Sequence, residues 1–254
     1  MHDPLTVAKA LYSLGASLLR VDRGVIVKGN RKKPVKHLVL FDAEYCPYCR
    51  HVREALTELD LDAKIYPIPK GGKRYLPHLK KMGGEGKIPF LVDPNTDTRM
   101  GDSEAIVEYL YSEYALEGED VPGRRIYTSL LSSVTRMPTR SMYAVPSKAP
   151  KKPLELWSFE ASPYGRLTRE IFSEMELKYI LHNVGKTPGT HADYYPPEIR
   201  YENMPNYMPG TENRRKFLKR AGKVMIPFIV DPNTGVEMFQ SRDIQEYLRE
   251  TYGA

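Results

Sequence analysis

The hydrophobic positions of the chain form two series of strand and helix patterns. In the first series, the apolar run HLVLF (37–41) predicts a strand that is covered on both faces. Apolar positions at helical spacing follow it, at Val52, Ala55, Leu56 and Leu59. Strands are predicted next at 63–68, 88–92 and near Arg99 and Met100, with a short helix at 74–82. A capped helix then closes the series, and its buried stripe consists of Ile106, Val107, Leu110 and Tyr114.

The second series repeats the first. IPFLVDPNT (88–96) returns as IPFIVDPNT (226–234) at an offset of 138, whereas LVLFDAEYCPYCR (38–50) aligns with LELWSFEASPYGR (154–166) at an offset of 116. The difference leaves 22 additional residues in the second copy. Their Pro, Gly, Asn and Tyr content predicts an elaborated loop followed by a basic helix. Repetition of the whole unit predicts two similar α/β domains.

These patterns divide the chain into four parts. The two domains are predicted at 35–117 and 153–254, and residues 118–152 are predicted to be a linker with one short helix near 127–136. Residues 1–34 form an N-terminal arm in which 5–20 carries an apolar helical face. This helix is expected to pack on its own domain, with a membrane-surface or organelle-targeting role as the alternative.

Composition restricts the functional classes. The net charge of +6 is spread over short clusters, so no arm that binds nucleic acid is expected. No apolar run approaches the roughly 20 residues that cross a bilayer, and no secretory signal pattern begins the chain. Two cysteines in 254 residues are too few for a disulfide scaffold, which favours a reducing compartment, by default the cytoplasm.

Both cysteines lie in one motif, CPYC (46–49), where a helix is predicted to begin. The amides and dipole of a helix N-terminus favour a thiolate, and Pro47 suits the first helical position. Cys46 is therefore the predicted nucleophile, with Cys49 as the resolving thiol three residues later. The second copy has Ser162 and Gly165 at these positions. Half of a zinc site and a pair of unreactive buried cysteines are the alternatives, and no second ligand pair supports a metal.

CPYC after a buried strand, IPF about 40 residues later and an acidic-Ser pair at a helix start resemble the glutaredoxins and the N-terminal domain of glutathione transferases. The resemblance covers about residues 37–115 and 153–252. It implies an α/β protein of two tandem thioredoxin-like domains. The all-helical C-terminal domain that supplies the electrophile pocket of a transferase is not expected.

The resemblance also implies a glutathione site in the first domain. Pro89 matches the cis-proline position, and the backbone of Ile88 would pair with the cysteine of glutathione. Asp102 and Ser103 would hold its γ-glutamyl end. Lys87 and Arg50 are candidates for its carboxylates, with a solvated charge as the alternative for each. The expected contacts near the thiols are Tyr45, Pro47 and Tyr48.

The second domain carries Pro227, Gln240 and Ser241 at the corresponding positions. It is expected either to be a degenerate copy kept for packing or to bind glutathione without dithiol chemistry.

The predicted function is a glutathione-linked thiol-disulfide oxidoreductase, with glutathione as co-substrate. Its partners would be disulfide-bearing or glutathionylated proteins or small molecules. One alternative is a glutathione transferase or peroxidase-like enzyme. Another is a non-catalytic protein, either a glutathione-ligated iron-sulfur carrier or an adaptor.

Overall fold

The structure, a computed structural model, describes residues 23–121 and 142–254, called here the first half and the second half. The helices predicted at 5–20 and 127–136 lie outside these residues. The first half contains, in order, β1 (Leu38–Asp42), α1 (Pro47–Glu58), β2 (Ala63–Pro67), α2 (Leu76–Lys81), β3 (Phe90–Asp93), β4 (Thr98–Gly101) and α3 (Ser103–Tyr114). Every element that the hydrophobic pattern of this half predicts is therefore present.

The second half repeats this order and adds helices inside it. Its elements are β5 (Leu154–Ser158), α4 (Pro163–Glu174), β6 (Tyr179–Asn183), a 3-10 turn (His191–Tyr194), α5 (Pro197–Asn203), α6 (Glu212–Ala221), β7 (Phe228–Asp231), β8 (Val236–Phe239) and α7 (Ser241–Tyr252). The predicted basic helix is α6. The 3-10 turn and α5 lie where the sequence predicted only an elaborated loop.

One mixed sheet passes through both halves, in the order β4-β3-β1-β2-β6-β5-β7-β8. Within each half the first two strands are parallel and the third is antiparallel to the first, as in a thioredoxin-like sheet. The halves join where β2 and β6 pair antiparallel, with Ile65 opposite Tyr179 and Ala63 opposite Leu181. Each half thus covers a strand that would otherwise be an open edge of the sheet.

A second contact between the halves is a buried cluster of charges on α1, α4 and the loops that precede them. Arg53 Nε lies 2.8 Å from Glu160 Oε2, and Arg169 Nε lies 3.0 Å from Glu44 Oε2. Each arginine thus crosses to a glutamate of the other half, and both arginines are 1% exposed. Because buried charges are tolerated only when they are paired, these reciprocal bridges fix how the two helices meet.

The apolar core is also shared. One cluster of buried side chains contains Leu40, Leu56 and Leu110 of the first half together with Phe172 and Leu248 of the second. Among the described residues, no helix has both the length and the apolar character that crossing a membrane requires.

Candidate functional site

The site begins at the end of β1, where the chain turns into α1. Cys46 is the N-cap of α1 in an extended conformation, and Pro47 occupies the first turn, where its missing N–H costs nothing. The Cys46 sulfur accepts a hydrogen bond from the Cys49 backbone N–H at 3.4 Å. The thiol therefore takes the place of the oxygen that usually caps a helix, and its anion is the better acceptor.

The two thiols have opposite protonation preferences. A hydrogen bond from the Cys49 side chain, with the amides of Cys49 and Tyr48, lowers the pKa of Cys46 against the effect of burial. Burial raises the pKa of Cys49 well above its ordinary value, and donation to Cys46 adds to this. Cys46 is 7% exposed and Cys49 is fully buried, and both are free thiols. The pair therefore has one acidic, outer thiol and one protonated, inner thiol.

The loop before β3 faces the thiols. The Ile88–Pro89 peptide bond is cis, as the resemblance to the cis-proline position implied. Ile88 and Tyr45 pack against the cluster formed by Ala43 and the two cysteines. The residue before the cis proline therefore packs beside the two thiols.

Asp102 caps α3. Its Oδ1 accepts hydrogen bonds from the N–H groups of Glu104 and Ala105 at 2.9 and 3.0 Å. Its backbone has a φ of 73°, a region that non-glycine residues seldom occupy. Such conformations persist where the surrounding structure imposes them, often at ligand sites. Ser103, the first residue of α3, is buried.

A cavity of about 790 Å³ runs along the cis-proline loop, β4 and the start of α3, and it reaches α1 at Tyr48, whereas Cys46 and Cys49 are not among its lining residues. Six of the residues predicted to bind glutathione line it: Tyr48, Lys87, Ile88, Pro89, Asp102 and Ser103. Lys87 is almost fully exposed, and its Nζ lies 3.9 Å from Glu85.

Two predicted contacts, Tyr45 and Pro47, are not among the lining residues of this cavity. Pro47 serves the helix start. Tyr45 is half-buried, its ring lies below Lys70 Nζ at 5.6 Å, and burial raises its pKa to about 12. Tyr45 therefore shapes the surroundings of the thiols from outside the cavity.

The second half reproduces the geometry without the thiols. Ser162 caps α4 and accepts a hydrogen bond from the Gly165 N–H at 3.1 Å. The Ile226–Pro227 bond is cis, and Gln240 has the same φ of 73° as Asp102. A Cβ at Gly165 would collide with the Ser158 hydroxyl. The second half therefore has no space for a resolving cysteine unless Ser158 moves.

Sequence reasoning missed the charged residues that join the halves. The signal was present, because Glu44 and Arg53 recur as Glu160 and Arg169 at the offset of 116 that relates the two CPYC-like motifs. These charges remain in the second copy, where the cysteines have been replaced. The charged contact between the halves is thus present in both copies, whereas the two thiols are present in one.

Comparison with known proteins gives the same family for both halves. The family described as "Glutathione S-transferase, N-terminal domain" matches residues 40–118 and 156–254. The glutathione S-transferase-like protein tpcF of Aspergillus fumigatus is 44% identical over 59 residues, which are 23% of this chain. The chain spans about a quarter of that relative, 26% of its length.

Among solved structures, the glutathione transferase BmGSTD1 of Bombyx mori is similar at 27% identity. The match covers 37% of this chain and 43% of that one, with a TM-score of 0.30. The two segments matched by the family together make up well over half of the sequence. The chain therefore belongs to the family of proteins with a glutathione S-transferase N-terminal domain.

Proposed function

We propose that the first half is a glutathione-linked thiol-disulfide oxidoreductase. The observation that carries this proposal is the contrast between the two thiols. Cys46, at the N-cap of α1, has a lowered pKa, whereas Cys49 is buried and its pKa is raised. A nucleophilic thiol and a resolving thiol need this difference, because only a thiolate attacks a disulfide.

The first step is attack of the Cys46 thiolate on a disulfide substrate. A bond forms between Cys46 Sγ and one substrate sulfur, the substrate S–S bond breaks, and the other sulfur leaves as a thiolate that takes a proton from solvent. With a glutathionylated substrate, the enzyme keeps glutathione as a mixed disulfide and the substrate leaves as a thiol. The positive end of α1 favours the thiolate before attack.

Two routes regenerate Cys46. In the first, a glutathione thiolate attacks the glutathione sulfur of the mixed disulfide, which yields oxidised glutathione and the Cys46 thiolate. In the second, Cys49 loses its proton and attacks Cys46, which releases the bound thiol and leaves a Cys46–Cys49 disulfide. Two further glutathione molecules then reduce this disulfide and are oxidised to one glutathione disulfide. The second route suits protein disulfides, which require two electrons from one site.

Glutathione would occupy the cavity beside the thiols. The Ile88 backbone would pair with its cysteine, and Lys87 and Tyr48 lie on the wall where its carboxylates and backbone would pass. The Asp102 carboxylate uses Oδ1 to cap α3, and its exposed remainder would meet the ammonium group. Membership of a glutathione S-transferase family supports glutathione as the thiol.

The same proposal treats the chain as a tandem pair of thioredoxin-like units, with the thiol chemistry in the first unit. The repeated element order and the two segments matched by the family support it. A cytoplasmic location remains the expectation, because the chemistry needs reduced thiols.

Steady-state assays on the full chain test the function. With glutathione and a glutathionylated peptide, the wild type should turn over and Cys46→Ser should not. Cys49→Ser should keep deglutathionylation but lose reduction of protein disulfides, because only the second route needs it. Absence of turnover in the wild type on both substrates would reject the oxidoreductase.

A glutathione transferase is the second candidate, since the family and the tpcF relative carry that description. Conjugation of glutathione to an aryl halide, followed by absorbance, separates the two. Turnover that survives in Cys46→Ser would favour the transferase, because conjugation uses the thiol of glutathione and needs no protein thiol.

A further inference from the structure

The second half contains a cavity of about 690 Å³ at the position that corresponds to the thiol site. Ser162, Pro227, Gln240 and Ser241 line it, as their counterparts line or adjoin the first cavity. The added segment between β6 and β7 supplies the remaining wall. The space is therefore retained, while the residues that surround it have changed.

The two cavities differ in charge. The first is lined by Lys87 and Arg99 and by three carboxylates, those of Glu85, Asp102 and Glu104. The second is lined, among the described residues, by the cations Lys186, Arg200 and Arg214 and by the carboxylates of Asp193 and Glu198. Glu198 is exposed, so one buried carboxylate faces three cations.

That buried carboxylate is already satisfied by protein groups. Asp193 Oδ2 accepts from the Thr187 N–H at 2.7 Å, and Oδ1 accepts from the Tyr207 hydroxyl and lies 3.0 Å from Arg214 Nη1. Arg214 is 1% exposed, and its Nη1 makes no aligned hydrogen bond. Its buried guanidinium is therefore paired with Asp193 and lies on the cavity wall.

The other two cations, Lys186 and Arg200, form no ion pair within 4.0 Å in the part of the chain that the structure describes, although Asp193 is close enough to favour the charged form of Lys186. The Arg200 guanidinium donates to four backbone carbonyls, among them those of Ala192 at 2.8 Å and Tyr195 at 2.9 Å. Lys186 Nζ lies 3.6 Å from the centre of the Tyr194 ring. Burial, reinforced by Arg214, lowers the pKa of Lys186 to about 8. The cavity lining thus carries more positive than negative charge.

A further polar group completes the site. Ser241 is 1% exposed, and its hydroxyl has no hydrogen-bond partner. Ser241 is the first residue of α7, and Ser162 is the N-cap of α4. The N-termini of two twelve-residue helices therefore line the cavity. Helix N-termini, a buried hydroxyl and an excess of cations over buried carboxylates together favour an anion. The rings of Phe159, Tyr164 and Tyr195 supply an apolar wall beside these groups.

We propose that the second-half cavity binds a small organic anion, whose carboxylate or phosphate lies between Lys186, Arg214 and Ser241 and whose apolar body lies against the tyrosines. The inference is independent of the oxidoreductase function, because it uses no thiol and no residue of the first cavity. The second half then serves as a ligand-binding unit joined to a redox unit.

Isothermal titration calorimetry on the full chain tests this proposal with three probes. These are 2-naphthoate, 2-naphthyl phosphate and the uncharged 2-naphthamide. At least one anion should bind, and the amide should bind at least tenfold more weakly, because it cannot meet the cations. Binding of either anion supports the site, and the stronger one identifies the preferred head group. Equal binding of the amide, or no anion tighter than about 1 mM, would overturn the proposal.

Two variants locate the binding. Lys186→Met should raise the Kd of the bound anion about tenfold, whereas the matched Lys87→Met in the first cavity should leave it unchanged. Ser241→Ala removes an unpartnered hydroxyl, so folding should be unaffected while the Kd rises a few-fold. The reverse pattern, with Lys87→Met the weaker binder, would place the anion in the first cavity and overturn the assignment.

A proton measurement distinguishes a direct contact of Lys186 from a structural role. An anion beside Lys186 favours its charged form, so binding at pH 8 should take up protons. Comparison of the binding enthalpy in buffers of different ionisation heat measures this uptake, which should disappear in Lys186→Met. Proton uptake that persists in the variant would show that Lys186 does not contact the anion.

Discussion

At the first turn of α1, two identical side chains have different chemistry because of their positions. Cys46 is outside the helix proper and receives hydrogen bonds, which favours its thiolate. Cys49 lies inside the first turn, fully buried, and its proton is retained by the surroundings. The spacing of three residues gives this asymmetry, since it places one thiol before the helix and the other on the same side within it.

Asp102 caps α3 and is also proposed to bind the ammonium group of glutathione, and a conservative substitution separates these two roles. Asp102→Asn keeps an oxygen that caps α3 and a residue type that tolerates positive φ, but it removes the charge. Glutathione affinity should fall by about 1 to 3 kcal/mol, the usual loss for a hydrogen bond to a charged group. Calorimetry measures the affinity, and the urea unfolding free energy should stay within about 0.5 kcal/mol as the control. Unchanged affinity would leave Asp102 as a cap alone.

At the scale of elements, the crossed ion pairs of α1 and α4 hold the halves together. Glu160→Gln leaves the guanidinium of Arg53 buried with one carboxylate fewer. The free energy of unfolding measured in urea should fall by about 3 kcal/mol, as it does when one partner of a buried ion pair is removed. The matched control is Glu212→Gln, which breaks the exposed Lys216–Glu212 pair of 2.6 Å and should cost no more than about 0.5 kcal/mol. Equal losses in the two variants would contradict a structural role for the buried cluster.

A second interaction between elements, the ion pairs of a buried histidine, depends on pH. His182 of β6 pairs with Asp62 of the first half, Nδ1 to Oδ2 at 2.6 Å, and with Glu155 of β5 at 3.3 Å. Burial opposes protonation, but these hydrogen bonds raise the pKa of His182 to about 9. Because the folded-state pKa is raised above the ordinary 6.5, the stabilisation is complete below pH 6.5 and is lost as the pH rises through about 9.

Urea unfolding followed by Trp157 fluorescence measures this effect, since Trp157 stacks on His182 at 4.3 Å. The free energy of unfolding of the wild type should fall by roughly 2 to 3 kcal/mol between pH 6.5 and 9.5. In His182→Gln this part of the pH dependence should be absent. A variant that loses stability with pH as steeply as the wild type would exclude His182 as its source.

At the scale of the whole molecule, the halves share one sheet, one apolar core and one charge cluster. A fragment of residues 1–121 would expose the edge of β2 and the apolar side chains of Ala63 and Ile65. We expect this fragment to aggregate or to unfold without cooperativity, and the fragment of residues 142–254 to behave alike. Circular dichroism melting and size-exclusion chromatography test this expectation. A monomeric fragment that melts at the temperature of the full chain would contradict it.

Sequence predicted the elements well because their signals are local. The run HLVLF gave β1, the apolar spacing after Cys49 gave α1, and the acidic-Ser pair located the start of α3. The pairing of β2 with β6 could not be predicted, because the sequence of an edge strand does not specify which other strand it pairs with. The burial of Arg50 and Arg53 was missed for the same reason, since their carboxylate partners include residues more than 100 positions away.

The thiol site leaves a recognisable pattern in the sequence at Cys46, Ile88 and Asp102, whereas the cations of the second cavity form no motif. Lys186, Arg200 and Arg214 are spread over 29 positions and line one cavity only in the folded chain. A comparison of the two copies alone therefore reports a loss of thiols but not a gain of charge.

If Cys46 is the residue that attacks the disulfide, its mixed disulfide with glutathione can be trapped. The full-chain Cys49→Ser protein is mixed with a glutathionylated peptide, quenched in acid and analysed by intact and peptide mass spectrometry. We expect one glutathione adduct on Cys46, and no adduct in Cys46→Ser under the same conditions. An adduct on Cys49 in Cys46→Ser, with retained turnover, would show that Cys46 is not the nucleophile.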